Sequence, residues 1–158
     1  MSELTRKIRE LLVERNVTFK EIEHPPTPTC EDSAAARGES LEIGGKTLLL
    51  KGKEDFFLFV LSAALSADLK KVRKILGSGH LRMGTHEELW NLAGVEKGAL
   101  PPFGPPILPF KLFVDESICE NSKIAFNAGV LTTSMILSIE DYLEVAQPEI
   151  TQFAKIIR

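Results

Sequence analysis

The sequence predicts an α+β protein in which a largely mixed sheet is flanked by helices. Helix-type and strand-type patterns are interspersed along the chain without the regular alternation of a βαβ protein. The stretch over residues 55–61 is apolar on both faces, as is typical of a strand in the centre of a sheet. Because 158 residues are enough to close a sizeable core, we expect a single domain over residues 1–158.

The first half of the chain divides into elements at its capping and breaking residues. Ser2 and Thr29 can each cap a helix, and Asn16 and Gly38 suit the ends of those helices. The proline-rich segment 24–28 breaks both periodicities, so it must be an extended loop. The predicted elements are, in order, a helix over 2–16, a strand over 17–23, a helix over 29–38, and strands over 46–51 and 55–61 joined by a hairpin-sized loop.

The second half predicts more helices and strands on either side of a long loop. Ser66 is placed to cap a helix over 67–76, and the capping-box spacing at 85–88 opens another helix with Trp90 on its buried face. The segment 94–109 holds three glycines and five prolines, and an irregular loop of that length is usually functional. The remaining predicted elements are a short strand over 81–83, strands over 110–114, 123–126 and 134–137, a helix from Ser138 to Pro148, and a tail that packs back on the core.

Composition and charge exclude several classes of protein. The chain is 44% hydrophobic and 26% charged, which is typical of a soluble globular protein. Its net charge of −3 argues against DNA binding, because proteins that wrap duplex nucleic acid are usually basic, but it allows contact with one end of a nucleic acid. The N-terminus has no signal-peptide core, and the most apolar run, residues 56–65, is too short to cross a bilayer, so we expect no membrane contact. Cys30 and Cys119 form no CxxC pair and indicate a reducing cytoplasm and no structural metal.

A lysine follows a glycine pair at the start of a predicted strand. Since side chains alternate along a strand, Lys46 shares its face with Leu48 and Leu50. An amine beside an apolar wall is costly unless an anionic group meets it, although an ordinary strand-edge lysine that extends to water is the alternative. The segment is not a P-loop, because Ser40 stands where the first glycine is required and the lysine leads into a strand.

No pattern typical of a metal or cofactor site is present in the sequence, which also has no GxSxG motif. Its three histidines lack HExxH spacing, and we interpret them as surface or capping residues: His24, His80 and His86. What remains is Lys46, the loop 98–104 and the glycine turn 127–129. Loops of this kind present backbone N–H groups that bind carbonyl oxygens, carboxylates or phosphates. Plain loop chemistry is the alternative for each piece taken alone.

A basic helix face is open to two interpretations. The predicted helix over 67–76 carries four basic residues opposite its apolar side: Lys70, Lys71, Arg73 and Lys74. This face is either a solvated surface or a contact for RNA phosphates, since both need the same clustered positive charge.

Taken together, these stretches resemble the YbaK/EbsC family of aminoacyl-tRNA deacylases, which includes the inserted editing domain of bacterial prolyl-tRNA synthetase. The chain looks closest to the stand-alone YeaK-like branch, and the lysine strand with the GxxxP loop is the most specific part of the resemblance. The matching segments are 29–32, 44–48, 98–103, 124–129, 141–143 and 146–149.

The resemblance implies a role for particular residues. Lys46 lies where the family keeps its essential lysine, and Gly98 and Pro102 lie where it keeps the GxxxP loop that holds the aminoacyl group. The other implied substrate-binding residues line two walls of the pocket, and they are Thr29, Cys30, Asn127 and Gly129. We further expect three side chains to set the size of the pocket: Cys30, Leu100 and Phe103.

Two departures limit what the resemblance implies. Alanyl-specific members have a Lys-Asn pair, whereas Thr47 follows Lys46 here, and some members have a histidine where this chain has Asn127 and Ala128. Neither alanine specificity nor a histidine role therefore carries over.

The activity that the resemblance implies is hydrolysis of mischarged aminoacyl-tRNA carrying a small amino acid such as alanine, serine or threonine, in trans and without a cofactor. The partner is the acceptor end of tRNA, and contact with an aminoacyl-tRNA synthetase stays open. No general base is evident, so we expect the ribose hydroxyl beside the ester to position the water. A non-catalytic module that binds a nucleotide or amino acid, or that docks on a synthetase, is the first alternative. A Schiff-base enzyme with Lys46 as nucleophile is the second.

Overall fold

The computed structural model describes residues 2–157, in which helices and strands are interspersed as predicted. The helices are α1 (Glu3–Glu14), α2 (Cys30–Arg37), α3 (Leu69–Leu76), α4 (His86–Ala93), α5 (Glu116–Cys119) and α6 (Ile139–Ala146). The strands are β1 (Phe19–Glu23), β2 (Gly45–Lys51), β3 (Phe56–Ser62), β4 (Leu65–Ala67), β5 (Arg82–Met83), β6 (Lys111–Asp115), β7 (Lys123–Asn127), β8 (Thr133–Ser138), β9 (Glu149–Thr151) and β10 (Ala154–Ile156).

The largest sheet is mixed, as the sequence predicted. Its five strands have the order β5-β2-β3-β6-β9; β3 is parallel to β6 and β6 to β9, while β2 is antiparallel to both of its neighbours. The central strand β3 supplies two cores on opposite faces, with Leu58 and Val60 on one side and Phe59 and Leu61 on the other. The apolar character of both faces thus predicted its central place correctly.

A second, antiparallel sheet joins the first beside the start of β2. Its order is β1-β8-β7, and it packs with α1 and α6 around the main core. The apolar face of α1 places Ile8 and Leu12 fully inside that core. The two sheets meet where Gly44 forms an isolated parallel bridge with Ala125 of β7. A separate two-stranded sheet pairs β4 with β10.

The predicted helix caps are confirmed at four of five positions. Four side chains each accept a hydrogen bond from a backbone N–H in the first turn: Ser2, Thr29, Thr85 and Ser138. The prediction for Ser66 is wrong, because α3 begins after Asp68, whose carboxylate accepts from the Lys70 N–H at 3.0 Å. Ser66 instead lies in β4, where it is the strand partner of Lys155 in β10. Local sequence could not show this pairing, since the partner strand lies at the other end of the chain.

Trp90 is exposed, contrary to the sequence prediction. Its relative exposure is 64%, whereas that of the neighbouring Leu89 is 8%. The helix α4 is only eight residues long and contacts the main core through Leu89 and Ala93, which lie one turn apart. Trp90 is rotated about 100° from Leu89 around the helix, which turns it out of that narrow stripe.

The segment 94–109, all of it described, contains no helix or strand, as predicted. It is nevertheless held firmly. The Tyr142 hydroxyl donates to the Pro102 carbonyl at 2.6 Å, and Phe103 packs edge-on against Phe126 and Tyr142. Because Tyr142 of α6 and Phe126 of β7 contact Pro102 and Phe103, the loop has a defined position in the molecule.

Asp115, at the end of β6, ties the C-terminal tail to the largest sheet. The residue is 3% exposed, and its Oδ1 accepts hydrogen bonds from the backbone N–H groups of Phe153 at 2.7 Å and Ala154 at 3.0 Å. Burial raises the pKa of this carboxyl, but hydrogen bonds from Ser117, Phe153 and Ala154 together bring it below its usual value. The charged form therefore stabilises the folded state.

Replacing Asp115 by asparagine should destabilise the fold, because one carboxylate oxygen becomes an NH2 group, which cannot accept the Ser117 N–H that Asp115 Oδ2 accepts at 2.9 Å. We expect the free energy of unfolding at pH 7 to fall by about 1–3 kcal/mol. The folded pKa is lower than the ordinary value of 3.8, so the wild-type advantage is complete above that pH and is lost as the pH falls through the folded pKa. Urea unfolding between pH 7 and pH 2 measures this difference. If the difference in the free energy of unfolding between wild type and Asp115→Asn stays constant over that range, the explanation is contradicted. Asp55→Asn, at an exposed position, is the matched control.

Candidate active site

A cavity of about 90 Å³ lies where the two larger sheets meet. Its walls come from α2, from the start of β2, from the beginning of the long loop and from the end of β7. The lining residues with polar or reactive groups are Thr27, Thr29, Cys30, Ser33, Arg37, Lys46, Thr47 and Asn127. Glycines at positions 44, 45 and 98 leave backbone exposed in the wall, and Leu100 adds an apolar surface.

Five of the seven residues implied by the resemblance line this cavity, and two do not. Those that line it are Thr29, Cys30, Lys46, Gly98 and Asn127. Pro102 lies behind the wall, where its carbonyl accepts the Tyr142 hydroxyl. Gly129 also lies outside the lining, and its N–H donates to the Ala99 carbonyl at 3.0 Å. Both residues therefore support the loop that carries Gly98.

Lys46 presents an amine that has a single neutral acceptor. Its Nζ donates to the backbone carbonyl of Leu65 at 2.5 Å, and no carboxylate within residues 2–157 forms an ion pair with it. Leu48 and Leu50, on the same face of β2, pack in the smaller core, as the alternation predicted. An ammonium group has three N–H donors, so two of them are available to a bound molecule.

A second part of the wall is built from Gly98 and Asn127. The Asn127 amide donates from Nδ2 to the Gly98 carbonyl at 3.0 Å, which joins the long loop to β7. Gly98 has φ of +90°, a conformation that glycine adopts without steric penalty. Within the described part of the chain its N–H has no hydrogen-bond partner, so a backbone donor is available at this edge of the cavity.

One face of α2 forms the other wall. Residues at positions i, i+3, i+4 and i+7 lie on one side of a helix, and here these are Cys30, Ser33, Ala34 and Arg37. Burial raises the pKa of the Cys30 thiol, and the nearby charge of Lys46 lowers it by less. The thiol is therefore protonated at neutral pH, so Cys30 is a wall of the cavity rather than a nucleophile.

Arg37 is a site residue that the sequence interpretation missed. Its Nε donates to Ser134 Oγ at 2.9 Å and its Nη2 to Asn127 Oδ1 at 3.2 Å. Burial lowers the pKa of the guanidinium to about 10, and no ion pair with a carboxylate is found among residues 2–157. The detectable signal was the small and polar stripe that begins at Cys30, because an ordinary core-facing stripe would be apolar.

Two further polar groups belong to this region. Thr47 lines the cavity, and its buried Oγ1 has no hydrogen-bond partner in the described structure. His24 is only half exposed, and its Nε2 lies 2.8 Å from Ser134 Oγ, so the prediction of a surface histidine is incomplete. His80 and His86 are exposed, as predicted. The contact between positions 24 and 134 could not be inferred from spacing along the chain.

Two of the three side chains expected to set the size of the pocket line the cavity. Cys30 and Leu100 line the cavity, whereas Phe103 is buried beside Phe126 and Tyr142 and does not.

Among residues 2–157, no group of three or more His, Cys, Asp or Glu side chains is arranged to hold a metal ion. None of the described helices is both long enough and apolar enough to cross a membrane.

Comparison with known proteins assigns the class. A family model described as the aminoacyl-tRNA editing domain matches residues 24–145, a range that includes every wall of the cavity. The chain belongs to the aminoacyl-tRNA editing domain family. The resemblance noted in the sequence is thus confirmed, and so are the fold class and the assignment as an aminoacyl-tRNA deacylase.

Individual relatives agree with this class. The chain is 34% identical over 156 residues to the multifunctional Ser/Thr-tRNA deacylase ProXp-y of Escherichia coli strain K12, covering 95% of this chain and 92% of the relative. It is 25% identical over 142 residues to the prolyl-tRNA editing protein ProX of Acetoanaerobium sticklandii, covering 86% of each. A crystal structure of a proposed trans-editing enzyme for prolyl-tRNA synthetase superposes with a TM-score of 0.85 at 24% identity, covering 98% of this chain and 99% of that one. That last similarity concerns the fold alone.

Proposed function

We propose that this protein hydrolyses, in trans, the ester of mischarged tRNA that carries a small amino acid, with Lys46 as the catalytic residue. The observation that supports this most is the Lys46 amine, which lines the cavity and has one neutral acceptor, the Leu65 carbonyl. A cation in this position is suited to an anionic oxygen of the substrate. The backbone N–H of Gly98 adds a second donor for such an oxygen.

The proposed reaction uses water and the groups of the cavity. The water oxygen bonds to the ester carbonyl carbon and loses one proton, which gives a tetrahedral oxyanion. The bond between that carbon and the ribose oxygen then breaks, the ribose oxygen takes the proton that the water lost, and the free amino acid leaves. Lys46 and the Gly98 N–H stabilise the oxyanion, and one well-placed donor of this kind is typically worth about 3 kcal/mol. The neighbouring ribose hydroxyl positions the water.

The cavity is small, about 90 Å³, and Leu100 and Cys30 belong to its lining. We infer that these two side chains admit the short side chain of serine or threonine and exclude larger ones. Exclusion of larger side chains is the stronger form of selection in such pockets. The name of the Escherichia coli relative, a Ser/Thr-tRNA deacylase, supports the same substrates for this chain.

Lys46→Ala should abolish most deacylation because it removes the charged donor. We expect the first-order rate on the best substrate to fall by about 100-fold or more, from the roughly 3 kcal/mol of one such donor. The measurement is deacylation of tRNAs mischarged with alanine, serine, threonine or cysteine. Lys53→Ala is the matched control, because Lys53 lies exposed in the hairpin between β2 and β3.

The same panel separates deacylation from the binding-module alternative. Turnover of serine or threonine esters by the wild type supports the proposal and names the substrate. Full activity of Lys46→Ala would exclude Lys46 as the catalytic residue. Absence of turnover on every tRNA would favour a module that holds a nucleotide or amino acid, or that docks on a synthetase.

Thr47→Val should lower the preference for hydroxyl-bearing amino acids. The buried Thr47 Oγ1 lacks a hydrogen-bond partner within residues 2–157, and valine has nearly the same shape without the hydroxyl. A hydrogen bond to a serine or threonine side chain is worth about 1 kcal/mol, so the ratio of serine to alanine deacylation should fall roughly fivefold. An unchanged ratio would mean that Thr47 does not contact the amino acid. Thr18→Val, at an exposed position outside the cavity, is the matched control.

The basic face of α3 is suited to the acceptor end of tRNA. The helix begins four residues after Leu65, whose carbonyl accepts from the Lys46 amine. Lys70, Lys71 and Lys74 are exposed, and none of them has an ion pair in the described structure. The acidic net charge of −3 is compatible with a protein that touches only one end of tRNA.

Reversing Lys70 and Lys71 to glutamate should weaken tRNA binding and reduce its dependence on salt. Each lost phosphate contact lowers the slope of log affinity against log salt by about 0.7–0.9. Fluorescence titration of labelled tRNA at several salt concentrations measures both quantities. A matched control reverses Lys7 and Lys20, exposed residues of α1 and β1, which changes the net charge equally. If the two double variants behave alike, the α3 face is only a solvated surface.

A further inference from the structure

We propose that Arg37 is a substrate-binding residue of this site, and that its guanidinium holds an anionic oxygen of the aminoacyl-tRNA. The inference rests on the proposed function and adds a second cationic contact to it. Arg37 lies in the last turn of α2, on the same helix face as Cys30, and lines the cavity.

The guanidinium of Arg37 has more donors than the protein uses. An arginine side chain has five N–H donors. Two hydrogen bonds are formed, by Nε to Ser134 Oγ and by Nη2 to Asn127 Oδ1, and both acceptors are neutral. The remaining donors have no partner within residues 2–157. A planar fork of donors that is fixed on one side is suited to bind a carboxylate, phosphate or ester oxygen on the other.

A purely structural role does not explain a charge at this position. Burial lowers the pKa of Arg37 to about 10, which shows that the charged form is less stable here than in water. Tying α2 to Ser134 and Asn127 requires a donor but not a cation, and a neutral amide would do it with a smaller desolvation penalty. The unpaired charge is therefore best explained by a ligand that brings the opposite charge.

The surroundings of Arg37 leave room for such a ligand. Its Nη1 lies beside Gly44, where a Cβ atom would be 3.6 Å from the guanidinium and only 3.0 Å from the Ala63 Cβ. The absence of a side chain at position 44 therefore leaves this side of the guanidinium uncovered. The side of the guanidinium that faces β7 and β8 is fixed by its hydrogen bonds to Asn127 and Ser134. The Ser134 Oγ in turn lies 2.8 Å from His24 Nε2. Preorganised donors of this kind do not need to reorient when charge develops.

Two oxygens of the substrate share the required chemistry. One is the ester carbonyl oxygen, which becomes an oxyanion when water attacks. The other is a phosphate oxygen of the terminal nucleotide. Both are anionic oxygens that accept hydrogen bonds from a guanidinium. Loss of the contact with one of them would change a different measured quantity from loss of the contact with the other. The carbonyl contact would act on the rate of hydrolysis, whereas the phosphate contact would act on the binding of tRNA.

The test compares wild type with Arg37→Gln, Arg37→Lys and a control, Arg15→Gln, at an exposed position. Four quantities are measured: the single-turnover rate on seryl-tRNA, the rate on a seryl ester of adenosine that lacks the phosphate, the affinity for uncharged tRNA, and the melting temperature. We expect Arg37→Gln to lower the seryl-tRNA rate at least about tenfold, which is the effect of one charge-assisted hydrogen bond. We expect Arg37→Lys to restore part of that rate and the melting temperature of both variants to stay at or above that of the wild type.

The outcomes separate the two sources of the oxygen. Equal losses of rate on both esters, with unchanged affinity for uncharged tRNA, assign Arg37 to the carbonyl oxygen. A weaker affinity for uncharged tRNA, with an unchanged rate on the adenosine ester, assigns it to the phosphate. A full rate and affinity in Arg37→Gln would overturn the proposal. So would a loss of activity that accompanies a lower melting temperature and that Arg37→Lys does not restore.

Failure of the proposed function is distinguishable from failure of this inference. If the wild type hydrolyses no ester, deacylation by this site is excluded, and so is the carbonyl contact of Arg37. The phosphate contact is then decided by the affinity for uncharged tRNA alone, which either falls in Arg37→Gln or overturns the inference.

Discussion

The candidate active site depends on how closely the two larger sheets approach at the glycine pair before Lys46. A Cβ atom at Gly45 would lie 2.8 Å from the Ile124 side chain, and one at Gly44 would lie 3.0 Å from the Ala63 Cβ. A side chain at Gly45 would require Ile124 of β7 to shift, and one at Gly44 would press on Ala63, which follows β3. Lys46 carries the first side chain of β2 beyond this contact. Its place at the cavity is thus set by the packing of the sheets.

The charge distribution of the cavity is unusual for a buried site. An amine and a guanidinium line it, and within residues 2–157 neither forms an ion pair with a carboxylate. Burial nevertheless remains the largest influence on the Cys30 thiol, whose pKa is raised although Lys46 and Arg37 both lower it. The cavity therefore combines weak solvation with unpaired positive charge. Such a combination strengthens the attraction for an anionic oxygen, because less water screens it.

Short-range features of the sequence predicted most of the fold. The caps at Thr29 and Ser138 depend on residues within one turn, and the two apolar faces of β3 can be read directly from seven residues. The errors arose where a distant segment decides the outcome. β4 exists because β10 pairs with it, and Trp90 is exposed because the core contacts only one narrow stripe of α4. The short helix α5 was also not predicted.

The sequence by itself determined the family, the strand that carries Lys46, and the loop and turn that supply Gly98 and Asn127. These features are encoded in contiguous motifs, so spacing and resemblance were sufficient. Only the tertiary structure decided that Asn127 bonds to Gly98, that Arg37 reaches both Asn127 and Ser134, and that Pro102 and Gly129 lie behind the wall. Those contacts join segments far apart in the chain. The closure of the two sheets brings them together, and no local pattern records that closure.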